Sequence, residues 1–528
     1  MKLKQYFLLM LLLSLVIGCS NKTDNRADQL PVLTGDTSFY QPPQFMDTDR
    51  IEKIRMALAE SRAWYEDCAT ENRLPGVAFG LVAGDSLVFS GGVGSISIES
   101  GEPVTTKSLF RIASMTKSFT AMAILQLCDE EKISLSDPVS AHLAELTGQR
   151  GPVRDAAPVT IFNLLTMTAG FPEDNPWGDR LLDMEEGSLT DMIREGISFS
   201  TAPSTNYEYS NLGYGLLGII ISRVSGIPFQ EYITRNILEP LGMNHTIWEY
   251  SQANADLLAL GYRWEEERWR EEPLLHDGAF GSMGGLITSI EDFSKYVSFH
   301  LSAWPPRTDP DRGPVKRSTL REMHRMNNPR FWSDPERFGD PAHPIMRGYG
   351  FGLVAMKDHE GVIEVGHNGG LPGFGSSYMF YPEYGIGIMA FSNLTYVGGS
   401  VRSANYRVIE TLIKQNLFHP RMLQVSEILA HRKEQVVQLI TTWDGSVEEE
   451  IVAANLYQDL SREKRVAEAD RVLKAIGEVV SIGPLIPYNQ LRGSFTIYGT
   501  KGETEVFFTL SPEPGPRVQW LSFHSSFY

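Results

Sequence analysis

Apolar positions change their spacing repeatedly along the chain, and each change marks an element. Between residues 48 and 68, Ile51, Ile54, Leu58 and Trp64 recur at helical intervals. From Gly76 the period shortens: GVAFGLVA and SLVFS flank Gly84-Asp85, the pattern of two strands joined by a tight turn. Helical spacing returns from Met115 to about Leu127, with Phe119, Met122, Ala123 and Leu127 on one face. A long, mainly helical middle follows, punctuated by Asp137-Pro138, Pro203 and Gly226-Ile-Pro228. Strand character then reappears in YGFGLV (349–354), VIEVG (362–366), SYMFY (377–381) and IGIMAF (386–391), and a helix over 402–415 closes the unit. Two early strands, a helical middle and several late strands predict an α/β (α+β) fold: one sheet, flanked by helices, with a helical region inserted in it.

The pattern restarts near Leu423 with amphipathic helices over 436–440, 447–460 and 467–479, then strands over 491–497, 505–510 and 518–523. Residues 416–528 therefore read as a small α+β module. It carries no catalytic motif and is expected to stabilise the protein or bind a partner.

The first residues obey a different logic. Lys2 and Lys4 precede an apolar stretch too short to span a bilayer comfortably, and it ends in Val16-Ile17-Gly18-Cys19. This resembles a bacterial lipobox, which implies that residues 1–19 are a signal peptide, that Cys19 is lipidated, and that the protein is anchored to a bacterial membrane in the cell envelope. Residues 20–47, polar and carrying Pro31, Pro42 and Pro43, suit a tether. The expected core unit is 48–415.

Length and charge narrow the function classes. A chain of 528 residues exceeds what one hydrophobic core supports. A formal net charge of -18, with no basic run to offset it, argues against nucleic acid as a partner. After Cys19 only Cys68 and Cys128 remain, too few for a zinc cluster. A disulfide between them is chemically allowed in an exported protein, but the apolar helical setting of Cys128 argues for a core thiol.

Three short motifs could carry chemistry. Ser114-Met-Thr-Lys117 sets a hydroxyl and an amine one helical turn apart on one face, so the amine can take the hydroxyl proton. A helix starting near Ser114 would also aim free N–H groups and its positive end at the reacting atoms. Tyr209-Ser210-Asn211 places a phenol and an amide two residues apart, able to face one cleft and to relay a proton. His367-Asn368-Gly369-Gly370 follows a strand and offers a backbone edge without bulky side chains, against which a substrate can lie and where an N–H can meet an oxyanion. A second HxG, His276-Asp277-Gly278, has no preceding strand and is assigned no role. Arg111, Glu208 and His245 are read as structural or surface residues.

Each motif alone is weak; together, in this order, they resemble the serine β-lactamase and penicillin-binding-protein superfamily. FRIASMTKSFT (110–120), ISLSDPV (133–139), TIFNLLTMTAGF (160–171), YSNLGYGLLGIII (209–221), GGLITSIEDF (284–293) and GHNGGLPGFGSS (366–377) carry the likeness across about residues 48–415. The branch most similar holds class C β-lactamases, D-aminopeptidases and serine esterases. The resemblance implies an antiparallel sheet, Ser114 as nucleophile, Lys117 as its base and Tyr209 as proton relay. It further implies Asn211, His367, Gly369 and Gly370 in substrate or oxyanion contacts, with N–H groups of Ser114 and Gly370 forming the oxyanion hole. The pattern departs from the family at Met167 and Ala169, and at His367, where true β-lactamases carry a lysine whose permanent charge a histidine lacks.

The expected activity is hydrolysis of an ester or a D-amino-acid peptide through an acyl-serine, on a small-molecule or peptide substrate and without a metal or organic cofactor. The alternatives are a D,D-peptidase or weak β-lactamase, and a non-catalytic protein that binds wall peptides.

Overall fold

The computed structural model describes residues 40–149, 151–332 and 343–527. It divides into a unit of Pro42–Leu423 and a second unit of Gln424–Tyr528 joined by the segment that ends at Gln41. Cys19 and the lipobox-like Val16-Ile17-Gly18 before it lie outside the described residues. Among those described, no single helix is long and apolar enough to cross a membrane.

The larger unit is built on eight antiparallel strands. In chain order these are β1 (Gly76–Ala83), β2 (Ser86–Gly94), β3 (Asn327–Trp332), β4 (Ile345–Tyr349), β5 (Val354–Lys357), β6 (Ile363–Leu371), β7 (Phe374–Tyr381) and β8 (Ile386–Ser392). Their spatial order is β2-β1-β8-β7-β6-β5-β4-β3, so the first strand pairs with the last and the helical middle is inserted between β2 and β3. Every residue of β1 is buried, because both faces of the sheet are covered. Ala78 and Val82 belong to one core with Phe293, Tyr296 and Val297. Val77, Phe79 and Leu81 point the other way, into a core with Ile54, Tyr65, Val401 and Ile409. This alternation explains why β1 reads as a continuous apolar run rather than a half-polar one.

The helices that matter for the site are α3 (Lys117–Asp129), α4 (Asn211–Ser225) and α5 (Ile290–Ser302); α1 (Arg50–Ala57), α2 (Arg62–Glu71) and α6 (Gly398–Lys414) cover the opposite face. The helical spacing of residues 48–68 thus resolves into two helices rather than one. A larger difference concerns 349–354, expected as strand. Only its ends belong to strands: Gly350, Phe351, Gly352 and Leu353 form a turn between β4 and β5, closed by Gly350 N–H donating to Leu353 O at 2.7 Å. Gly352 has φ +70°, and a Cβ there would fall 2.6 Å from the Lys117 carbonyl oxygen, so this glycine lets the turn press against the start of α3. Exposed β3 and the charged hairpin Tyr262–Glu265/Arg268–Glu271 have too little burial to leave a period in the sequence. Cys68 and Cys128 are free thiols, both pushed up to about 11 by burial.

The C-terminal unit carries α7 (Glu427–Thr442) and α8 (Arg462–Ile476) with five antiparallel strands, β9 (Val479–Ile482), β10 (Ile486–Asn489), β11 (Arg492–Gly499), β12 (Gly502–Leu510) and β13 (Val518–Phe527). Leu439, Ile440 and Ile476 pack on Phe495, Val506, Phe508 and Val518 as its own core. The helix expected over 447–460 is interrupted where Val452 bridges to Val518. The boundary between units falls after Leu423, eight residues past the expected 415, because Phe418 stacks on Tyr384 at 4.1 Å and Arg421 donates to Pro382 O at 2.7 Å.

Away from the site, a buried histidine pair makes the larger unit acid-sensitive. Trp304 Nε1 donates to His324 Nδ1 (3.1 Å), so the His324 proton is on Nε2 and is donated to His300 Nδ1 (2.8 Å). Neither ring can accept a proton without setting donor against donor, and burial holds His300 down at about 3 and His324 well below its ordinary value. An unfolded histidine protonates near pH 6.5, so this stability is complete above that pH and is lost as the pH falls below it. Each ring contributes a slope of up to about 1.4 kcal/mol per pH unit. Asp277, raised by burial to about 6, opposes this by one proton at most. Buried His367, lowered to about 3, adds a third such ring, so a scan of Tm between pH 7 and 4.5 should fall from about pH 6.5, and His300→Gln should flatten the slope by one proton's worth, about 1.4 kcal/mol per pH unit at most. A flat scan in the parent protein would contradict the neutral pair.

Candidate active site

Ser114 lies in a single 3₁₀ turn, Ala113–Thr116, immediately before α3. The expected α-helical start is thus a tighter turn. Its three residues per turn eclipse i and i+3, which aligns Ser114 and Lys117. Ala113 has φ +51°, a left-handed conformation that costs a side-chain-bearing residue about 1 kcal/mol. Two hydrogen bonds hold the turn in place: Ile112 N–H to Leu286 O (3.0 Å) and Ser376 Oγ to Ile112 O (2.8 Å). Gly369 passes directly beneath, where an added Cβ would meet Ser376 Oγ at 2.2 Å and Ile112 O at 2.3 Å. Only glycine fits there.

Lys117 is fully buried. Its Nζ donates to Asn211 Oδ1 (2.7 Å) and Met283 O (3.0 Å) and lies 3.2 Å from Ser114 Oγ. Burial lowers its amine to about 7, against the opposing pull of Asp179 and Asp174. Near neutral pH a large fraction is therefore uncharged, with a lone pair for the hydroxyl proton. The Tyr209 ring centroid lies 5.0 Å from Nζ. Burial raises the Tyr209 phenol well above its ordinary value, against the opposing influence of the Ser114 hydroxyl, so it is a proton donor at neutral pH.

Asn211 is the first residue of α4, and the electrostatics of that helix end hold it. Asp174 accepts from the backbone N–H groups of Asn211 and Leu212 (2.7 Å each) and from Ser210 Oγ (3.2 Å), placing a carboxylate at the positive end of the helix. The Asn211 Nδ2 donates to Asn175 Oδ1 (2.6 Å) and Asp179 Oδ1 (3.2 Å).

On the opposite wall, β6 pairs with β5 only from Ile363 to Gly366, so from His367 to Leu371 that edge carries no strand. His367 is buried, with Nε2 3.1 Å from the Tyr349 hydroxyl and its ring centroid 6.2 Å from that of Tyr209. Burial, Lys117 and Arg347 lower it to about 3, so it is neutral rather than partly charged. Gly370 sits under Tyr396: a Cβ on this glycine would lie 2.9 Å from the ring.

The structure thus brings Ser114, Lys117, Tyr209, Asn211, His367, Gly369 and Gly370 together. Asp174, Asn175, Asp179 and Met283 belong to it as well but gave no motif. Met283 carries a signal in retrospect, since Gly281-Ser-Met-Gly-Gly285 allows close approach of backbone, and an added Cβ on Gly285 would fall 2.8 Å from Gly281 Cα. His276 is exposed and pairs with Glu249. Arg111 is buried on Gly285 O, Leu275 O and the Tyr250 hydroxyl, a structural set. His245 is exposed, its backbone N–H held by Asp292, and Glu208 donates its own backbone N–H to Met167 O. Met167 accepts the Ser210 N–H through sulfur at 3.3 Å, supporting the Tyr209–Asn211 loop from below. Among the described residues no group of His, Cys, Asp or Glu side chains is arranged to hold a metal ion.

A family model described as Beta-lactamase matches residues 50–413. Protein flp of Staphylococcus aureus is 28% identical over 384 residues, which cover 70% of each chain. Among solved structures, the octameric penicillin-binding protein homologue from Pyrococcus abyssi superposes with a TM-score of 0.53 at 21% identity, covering 89% of this chain and 96% of its own. EstCE1, a hydrolase with promiscuous acyltransferase activity, does so with a TM-score of 0.54 at 18% identity, over 67% of this chain and 99% of its own.

Proposed function

The chain belongs to the β-lactamase family of serine hydrolases, and from that premise we propose that it cleaves an ester or a D-amino-acid peptide by way of an acyl ester on Ser114. The observation that carries this reading is the buried Lys117 amine, lowered to about 7, at 3.2 Å from Ser114 Oγ. Lys117 takes the hydroxyl proton as Oγ attacks the carbonyl carbon. The oxygen that becomes negative is received by the N–H groups of Ser114 and Gly370. As the tetrahedral intermediate collapses, the bond to the leaving group breaks and the Tyr209 phenol protonates that group. The Lys117 ammonium then returns a proton to Tyr209. Water repeats the sequence on the acyl ester and releases the acid. Lys117 rather than Tyr209 is the first acceptor in this scheme, because burial moves the lysine toward neutrality and the phenol away from ionisation.

A panel of nitrophenyl esters, D-amino-acid amides and a fluorescent penicillin tests the class. Ester or amide turnover supports the hydrolase; a stable penicillin adduct without turnover points to a peptidase or sensor instead. Silence toward all three would leave a binding scaffold. Neutral His367 bears on the choice, since it offers no fixed charge to a substrate carboxylate. His367→Lys should raise reaction with penicillins relative to neutral esters by about tenfold, or about 1.4 kcal/mol for one charge contact. An unchanged ratio in a folded variant would mean that this position does not face the substrate.

A further inference from the structure

The 3₁₀ turn Gly178–Arg180 brings a second carboxylate toward the base without touching it. Asn211 has one oxygen and one NH₂, and only the oxygen is a suitable partner for an ammonium. Its NH₂ end is taken by Asn175 Oδ1 at 2.6 Å and Asp179 Oδ1 at 3.2 Å, and its oxygen faces Lys117 Nζ at 2.7 Å. The segment is pressed onto Asn211: a Cβ added to Gly178 would fall 2.7 Å from that of Asn211. Asp179 is itself buried, and the Tyr396 hydroxyl, from the loop that covers Gly370, favours its ionised form.

We infer that Asp179 is a positioning residue for the Ser114–Lys117 pair: by accepting from Asn211 Nδ2 it fixes which end of that amide faces the lysine, and it acts as the lysine's counter-charge one residue removed. The inference deepens the function proposed above and rests on it only for the statement that Lys117 is the base.

The consequence has a definite sign. With Asp179 neutralised, the ammonium loses an attractive charge, and the amide is freer to turn its NH₂ toward Nζ; both effects favour the neutral amine. The other groups that face this pair are Asp174, Arg180 and Tyr396 around Asp179, and Asp174, the rings of Tyr209 and Tyr214 and neutral His367 around Lys117. None of them changes in Asp179→Asn.

The experiment follows the titration of Lys117 directly, by NMR of the full chain labelled at lysine Cε, with the resonance assigned by its absence in Lys117→Arg. Asp179→Asn should lower the midpoint by about one pH unit, the lower end of what a nearby opposite charge contributes, while Asp179→Glu stays near the parent value. If esters are turned over, the acid limb of kcat/KM should move down in pH together with the Lys117 midpoint; a merely structural loss would lower kcat and leave the limb in place. Should Asp179→Asn fail to fold, Tyr396→Phe, at a position 42% exposed, removes only the hydroxyl that favours ionised Asp179 and should move the midpoint the same way by less. An unmoved midpoint in the folded variants overturns the positioning role, whether or not the protein is a hydrolase. A moved midpoint in a protein without turnover would sink the proposed function and leave the positioning role standing.

Discussion

Replacing either Ser114 or Lys117 by Ala should lower ester turnover by at least about 10³-fold, roughly 4 kcal/mol of transition-state stabilisation. Without the hydroxyl no acyl ester forms. Without the amine, the Ser114 hydroxyl has no base to take its proton, since the Tyr209 phenol stays protonated and Asn211 Oδ1 and Met283 O approach Lys117 Nζ rather than the hydroxyl. The two groups are separated by 3.2 Å and act as one unit, so the double variant should be hardly worse than either single one. Additive losses, near 10⁶-fold, would mean that serine and lysine serve separate steps. Because Lys117→Ala strands two buried acceptors, its near-UV circular dichroism must match the parent before its rate is read.

Tyr209→Phe separates bond-making from leaving-group departure. The buried phenol stays protonated, so its removal costs little packing and deletes one proton donor. A nitrophenolate leaves without a proton, whereas an amine cannot. The variant should therefore lose about 10²- to 10⁴-fold on an amide substrate, the range of general acid catalysis, and less than about tenfold on a nitrophenyl ester. The measured quantity is the ratio of kcat/KM for the two substrates. Equal losses on both would assign Tyr209 to orientation and not to proton relay.

How much of this was legible in the sequence follows from what each element is made of. Strands β1 and β6–β8 are buried, so their apolar runs stand out, and the SxxK, YxN and HxGG segments lie at the ends of elements with strong periodicity. The turn between β4 and β5 was misread because Tyr349-Gly-Phe-Gly-Leu-Val is as apolar as a strand; what ends the strand is the left-handed φ of Gly352, which composition does not reveal. Asp174, Asn175 and Asp179 escaped notice for a different reason. They lie on an irregular segment some 30 residues before Asn211 in the chain, and their place beside it depends on the path of that segment, which no spacing rule encodes. The charge state of His367 was likewise out of reach: a histidine in a sequence titrates near 6.5, and only burial beside Lys117 and Arg347 takes it to about 3.

The central claim is that one serine carries the acyl group, and the site of a covalent adduct tests it most directly. Trypsin cuts after Arg111 and Lys117, releasing residues 112–117, in which Ser114 is the one serine. After reaction with a fluorophosphonate, mass spectrometry should find the added mass on Ser114 in the parent protein, none in Ser114→Ala, and slow accumulation in Lys117→Ala. An adduct on any other residue, or undiminished labelling of Ser114→Ala, would contradict the mechanism.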